Sequence, residues 1–280
     1  METAVVAPVQ SARVPSGLRK RVMSTVVLAP LVVWIVVGAP AWLFATVVVV
    51  VSGAAAWEFG RLFAGAGRAV RPGIVVLCTA GVAASFLAPG APITAMVAAT
   101  VLILASSLVA AGPVSSERTT VGLTCVCYIG ILTGHMLLLH QLPDGRALIL
   151  FLLAVTWAGE SAAYVVGSAI GRHQLAPAIS PGKTIEGALG QLLASLGAGL
   201  ALGWLVPGWS LIESAGAGLL LGVVGQVGDL VESMIKRSVG AKDAGALIPG
   251  HGGLLDRIDG LLFNAPALFY YCVSVLGGRA

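Results

Sequence analysis

Residues 214–237 read Ser214-Ala-Gly-Ala-Gly-Leu-Leu-Leu-Gly-Val-Val-Gly-Gln226-Val-Gly-Asp229-Leu-Val-Glu232-Ser233-Met-Ile-Lys236-Arg237. As far as Gly228 the only polar side chains are Ser214 and Gln226. A helix that crosses the ~30 Å hydrocarbon core of a bilayer needs about 20 such residues. Then Asp229, Glu232, Ser233 and Lys236 follow at i, i+3, i+4 and i+7, which places them along one stripe of a helix. Val227, Leu230, Val231, Met234 and Ile235 cover its other faces. Lys236 and Arg237 can extend towards the headgroups, but an unpaired carboxylate at Asp229, two turns deeper, costs ~2.5–3.5 kcal/mol. A bound cation would offset that cost. The stretch therefore predicts a membrane helix that carries a polar site at one end.

The rest of the chain extends the first half of this reading. Of 280 residues, 58% are hydrophobic and 10% charged, and the mean hydropathy is +0.97. Soluble domains hold roughly 45–50% apolar residues with glycine included, whereas the 58% here leaves out 37 glycines. The fold class that follows is all-α, a polytopic integral membrane protein. Apolar runs predict about nine transmembrane helices, at 22–38, 41–56, 72–89, 92–111, 119–139, 147–168, 184–206, 214–235 and 259–277, separated by Pro and Gly breaks. With the N-terminus cytoplasmic and the sides alternating, 14 of the 16 Lys and Arg face the cytoplasm, and only Arg146 and Arg279 lie outside. Residues 22–38 follow basic residues as a secretory signal would. They lack an obvious cleavage site, and more spans follow, so they read as a retained first helix. The expected organisation is a cytoplasmic tail (1–20), transmembrane scaffold helices (21–145) and a transmembrane catalytic half with cytoplasmic loops (146–280). Cys78, Cys125, Cys127 and Cys272 all lie inside predicted spans and read as small apolar packing residues, without a disulfide or a zinc site. His135 and His140, five residues apart, make a poor ligand pair and read as interfacial.

Charge is concentrated beyond the eighth span. The 27 residues from Ser233 to Asp259 hold seven of the 28 Asp, Glu, Lys and Arg. Pro249-Gly250-His251-Gly252-Gly253 is a small-residue turn whose backbone N–H groups can approach an anion. Asp256 and Asp259 follow at i and i+3, with Arg257 between them. Together with Asp229 they offer hard oxygen ligands of the kind Mg²⁺ takes alongside substrate phosphates. Helix capping alone would leave Lys242, Asp243 and His251 unexplained. A third group is Glu160 and Tyr164, one turn apart inside a span, followed by Ser180-Pro181-Gly182-Lys183-Thr184-Ile-Glu186-Gly187. The Gly-Lys-Thr run is not a P-loop, because that motif needs glycine at 177, where Pro177 stands. Lys183 and Thr184 instead open a transmembrane helix, whose N-terminus attracts phosphate.

Ser233-x-x-Lys236-Arg237-x4-Lys242-Asp243-x-Gly245-x2-Ile248-Pro249-x-His251-Gly252-Gly253-x-x-Asp256-Arg257-x-Asp259 resembles the diagnostic stretch of phosphatidate cytidylyltransferases, also called CDP-diacylglycerol synthases. Gly228-Asp229-Leu230, Ser180 to Gly187 and Ala163-Tyr164 are similar to the same family. One departure is Glu160, where the family usually has Asp. The resemblance implies CMP transfer from CTP to phosphatidic acid with Mg²⁺, at the cytoplasmic face of the cell (inner) membrane. It implies Asp229, Asp256 and Asp259 as metal-binding and catalytic residues, with Lys236 and Lys242. Substrate would contact Glu160, Tyr164, Ser180, Lys183, Thr184, Ser233, Arg237, Asp243, His251, Gly252, Gly253 and Arg257. Expected partners are CTP, phosphatidic acid and the lipid bilayer, with no nucleic acid, and a homodimer is what the family suggests.

Three other readings compete: a close enzyme alternative, a transporter or channel, and a pure scaffold, which would leave the buried carboxylates unexplained. Another lipid phosphate could accept the nucleotide, since tails are recognised by shape among apolar helices. A transporter would place its acids near mid-membrane and show an inverted repeat. Here the acids crowd at the cytoplasmic ends of late helices.

Overall fold

The computed structural model describes residues 29–65, 72–88, 90–109, 116–245, 252–275 and Gly277. Residues 29–37 are helical (α1) and are followed by α2 (Ala41–Gly65), α3 (Pro72–Ser85) and α4 (Ala91–Val109). Next come α5 (Ser116–Cys125), a π-helical turn (Val126–Ile131), α6 (Leu132–Gln141) and α7 (Gly145–Ile170). Two strands, β1 (Gln174–Ala176) and β2 (Ser180–Thr184), precede α8 (Ile185–Leu202) and α9 (Leu211–Ser238). The last helix, α10 (Leu255–Tyr270), runs into a π turn, Tyr271–Val275.

Five segments are long and apolar enough to cross a bilayer: Ala41–Ala64, Glu117–Gln141, Gly145–Ile170, Ile185–Leu205 and Leu211–Ser238. Pro72–Ser85 and Ala91–Ser106 are apolar but shorter. The protein is thus a mainly helical membrane protein. It departs from a purely α reading at β1 and β2, an antiparallel hairpin that pairs Gln174 with Thr184 and Ala176 with Ser180. The second helix also runs nine residues past the expected end at 56, which brings Glu58 and Arg61 into it.

α9 begins with a capping box. Ser210 Oγ accepts from Glu213 N at 3.2 Å, and Glu213 Oε2 accepts from Ser210 N at 2.6 Å. α8 and α9 then pack through small residues. A Cβ on Gly218 would lie 2.6 Å from Ser195 O, and one on Gly199 would lie 2.9 Å from the Gly218 Cα. Between membrane helices such close backbone approach supplies the van der Waals contact that the hydrophobic effect cannot. Gly218→Val should therefore force the pair apart, at about 1–3 kcal/mol. Thermal unfolding in detergent should show a lowered midpoint, while Gly197→Ala, on α8 with nothing within 4 Å, should leave it unchanged.

The apolar core is centred on α7, where Leu148, Ile149, Phe151 and Leu152 are fully buried. His135 is buried too, 6% exposed, among Phe86, Phe269 and Tyr270. The sequence gives no hint of this, because the aromatic partners come from distant helices. His140 stacks on Phe44 with centroids 4.4 Å apart. The four cysteines are free, and only Cys127 is exposed. α10 packs on α6, α7 and α9, so its first turn meets the end of α9, where the polar stripe is.

Candidate active site

The stripe on α9 forms as its spacing predicts. Glu232 is 1% exposed, and its Oε2 lies 2.6 Å from Lys236 Nζ one turn on. Lys236 also reaches Asp256 Oδ1 on α10, at 2.8 Å. Asp256 is further held by backbone donors: Ala244 N at 3.1 Å from both its oxygens and Gly253 N at 2.9 Å. Burial pushes the Asp256 carboxyl up, but the Lys236 ammonium, the neighbouring Glu232 side chain and the Gly253 N–H outweigh it and hold the group below the ordinary carboxylate range. The turn that supplies Gly253 depends on Gly252, whose φ of +81° favours glycine.

Asp259 lies one turn along α10 from Asp256. One carboxylate oxygen each from Asp229, Glu232 and Asp259 lie within 4.8 Å of one another. Like charges so close repel unless a cation or protons neutralise them. Glu232 Oε1 is buried without a hydrogen-bond partner among the described residues. An acceptor left over beside two more carboxylates fits a hard, oxygen-seeking cation such as Mg²⁺. Of the expected trio Asp229, Asp256 and Asp259, two belong to this cluster. Asp256 stands outside it, engaged by Lys236 and backbone, and Glu232 takes the third position.

The hairpin brings a cation to the same place. Lys183, on β2, puts its Nζ 2.7 Å from Asp229 Oδ2. Thr184 ends the strand and caps α8, its Oγ1 accepting from Gly187 N at 3.1 Å. A Cβ on Gly171 or Gly187 would come within 2.8–3.0 Å of that Oγ1, so Thr184 seats where glycines leave room. Between α7, α8, α9 and the hairpin is a cavity of about 320 Å³, whose lining includes Glu160, Tyr164, Lys183, Thr184, Gln226 and Asp229. Glu160 reaches α10, since a Cβ on Gly260 would lie 2.5 Å from its Oε1. Tyr164 and Val165 on α7 and Leu189 and Leu193 on α8 are 55–76% exposed, an apolar flank suited to lipid.

The remaining expected residues are more dispersed. Arg237 donates to Ile179 O at 3.2 Å and to Ala241 O at 3.0 Å, so it ties the hairpin to the end of α9. Ser180 begins β2, and Ser233 is half-buried on α9. Arg257 is exposed on α10, and Lys242 and Asp243 are exposed beyond α9. Asp243 lines a second cavity, of about 470 Å³, with Trp57, Glu58 and Arg61. His251 lies outside the described residues.

The chain is similar to known proteins over most of its length. The profile of the Cytidylyltransferase family matches residues 19–275. The chain belongs to the cytidylyltransferase family. Among curated members, the phosphatidate cytidylyltransferase of Brucella suis biovar 1 (strain 1330) is 44% identical over 137 residues, 46% of this chain and 48% of that one. The phosphatidate cytidylyltransferase of Staphylococcus aureus (strain COL) is 37% identical over 182 residues, 62% of this chain and 66% of that one. The uncharacterized protein YnbB of Escherichia coli (strain K12) is 42% identical over 179 residues, 61% of this chain and 59% of that one. The matched region spans about half to two thirds of these relatives' length.

Two acids at or near these residues were not among the expected site residues. Glu232 was visible in the α9 stripe, and its place among the carboxylates follows from its three-residue spacing from Asp229. Glu58 gave a weaker signal, a lone acid at the end of an apolar run. The structure buries it, at 4% exposure, against the start of α10.

Proposed function

We propose that this protein is a CTP:phosphatidate cytidylyltransferase, making CDP-diacylglycerol and pyrophosphate for phospholipid synthesis. The observation that carries the reading is the convergence of Asp229, Glu232 and Asp259 beside Lys183, at the edge of a cavity with an apolar flank. In the reaction an oxygen of the phosphatidate phosphate attacks the α-phosphorus of CTP, and the bond to the β-phosphate oxygen breaks. Both reactants are anions, so catalysis is mainly positioning and charge neutralisation.

Asp229, Glu232 and Asp259 would hold Mg²⁺, which supplies charge to the triphosphate and to the departing pyrophosphate. Lys183 is placed to leave Asp229 for a phosphate oxygen once a cation takes over that carboxylate. Lys236 keeps Glu232 and Asp256 in register, and Asp256 holds the backbone of Ala244 and Gly253. The lipid phosphate is ionised near neutral pH, so no strong general base is required. The tails stay in the bilayer along the exposed face of α7 and α8. The same reading has nine crossings, a cytoplasmic N-terminus and a site on the cytoplasmic side of the cell membrane. It is supported by the placement of 14 of 16 Lys and Arg on that side.

The test is purified protein in lipid nanodiscs with labelled CTP, phosphatidate and Mg²⁺. Nucleotide-lipid and pyrophosphate should form in equal amounts, and chelation of Mg²⁺ should stop both. Ion flux in liposomes with no nucleotide turnover would overturn the reading in favour of transport.

A further inference from the structure

α10 starts without a cap of its own. The residue before it, Leu254, offers no side-chain acceptor to the first turn. Glu58 supplies one from α2, its Oε2 accepting from Leu255 N at 2.9 Å across 197 residues of sequence. A carboxylate there meets the positive end of the helix dipole, which offsets the cost of burying an acid in an apolar helix.

The surroundings are built around this contact. A Cβ on Gly245 would lie 2.6 Å from Glu58 Oε1. A Cβ on Gly253 would lie 2.9 Å from Glu58 Oε2 and 3.1 Å from Asp256 Oδ2. Glu58 and Asp256 thus grip the backbone at Gly253 and Leu255 from two directions. Ala244 N, beside Gly245, also bonds Asp256. Asp259 is only one turn beyond this grip, so the position of its carboxylate depends on how the first turn of α10 is held.

We infer that Glu58 is a positioning residue for the carboxylate site, setting the start of α10 so that Asp259 meets Asp229 and Glu232. The inference rests on the reading that those three acids hold a divalent ion. It does not need the ion to serve cytidylyl transfer.

The experiment compares wild type, Glu58→Gln and Glu58→Ala in nanodiscs. It measures Mn²⁺ binding by electron paramagnetic resonance without nucleotide, and then turnover against Mg²⁺ concentration. Loss of an outer partner of a metal site typically lowers affinity or activity about 10–100-fold. Glu58→Ala should weaken Mn²⁺ binding and lower kcat within that range, with KM for phosphatidate unchanged. Glu58→Gln keeps an acceptor oxygen for Leu255 N and should restore both to within about threefold. Should Glu58→Ala fail to fold, Gly245→Ala, which crowds Oε1, should weaken Mn²⁺ binding in the same direction. Wild-type Mn²⁺ affinity in a folded Glu58→Ala protein or in Gly245→Ala, or equal losses in folded Ala and Gln variants, would overturn the inference. A wild type that binds Mn²⁺ but forms no nucleotide-lipid would sink the proposed reaction alone, and the Mn²⁺ measurements would still decide Glu58.

Discussion

Asp259→Asn and Asp229→Asn should each lower nucleotide-lipid formation by about a thousandfold or more while the protein stays folded. An amide keeps the shape of the side chain and removes its charge. Each acid contributes an oxygen to a group of three within 4.8 Å, so the loss falls on cation binding rather than on packing. Asn at 259 relieves repulsion among the carboxylates, and the thermal midpoint should therefore hold or rise. Asp229→Asn also frees Lys183 from its 2.7 Å partner. A rise in apparent KM for CTP should accompany its fall in kcat. Turnover against Mg²⁺, with thermal unfolding on the same preparations, checks both variants. Full activity in either would remove that residue from the site.

Lys236→Met should cost stability as well as activity. Lys236 is 12% exposed and bonds two carboxylates, Glu232 at 1% and Asp256 at 11% exposure. Methionine fills similar space but leaves both acids facing each other without a cation. Removing one partner of a buried ion pair costs about 3–5 kcal/mol. In a chain of this size that is a fall in midpoint on the order of 10 °C. Adding Glu232→Gln should recover much of the midpoint, because the repulsion is gone. It should not recover turnover, because Glu232 also belongs to the carboxylate group. A thermal midpoint for Lys236→Met within a degree of wild type would show that the two acids are neutralised some other way.

Much of this site could be read from local spacing. Asp229, Glu232, Ser233 and Lys236 share a stripe because the helix repeat puts them there, and Asp256 and Asp259 share a face for the same reason. Thr184 is recognisable as a cap by its place before an apolar run. What escaped the sequence depends on contacts between distant segments. Nothing near Glu58 announces that its partner is the N–H of Leu255. Lys236 bonds both Glu232 and Asp256, and it is the Ala244 and Gly253 amides, brought up by tertiary geometry, that hold Asp256 alone. The hairpin at 174–184 is short, with Pro177 and Pro181 in it, so its pairing carries no periodic signal. Helix positions were legible because apolar length is a strong constraint in a bilayer. The end of α2 was not, since Glu58 and Arg61 broke the apolar run before the helix itself ended.

The dependence of α10 on Glu58 has a further consequence, for assembly. During synthesis α2 enters the bilayer long before α10 emerges from the ribosome. Throughout that interval its acid has no Leu255 amide to meet. A chain truncated before its last helix would keep that acid without the amide, so the two ends of the chain are joined at this point only when synthesis is complete.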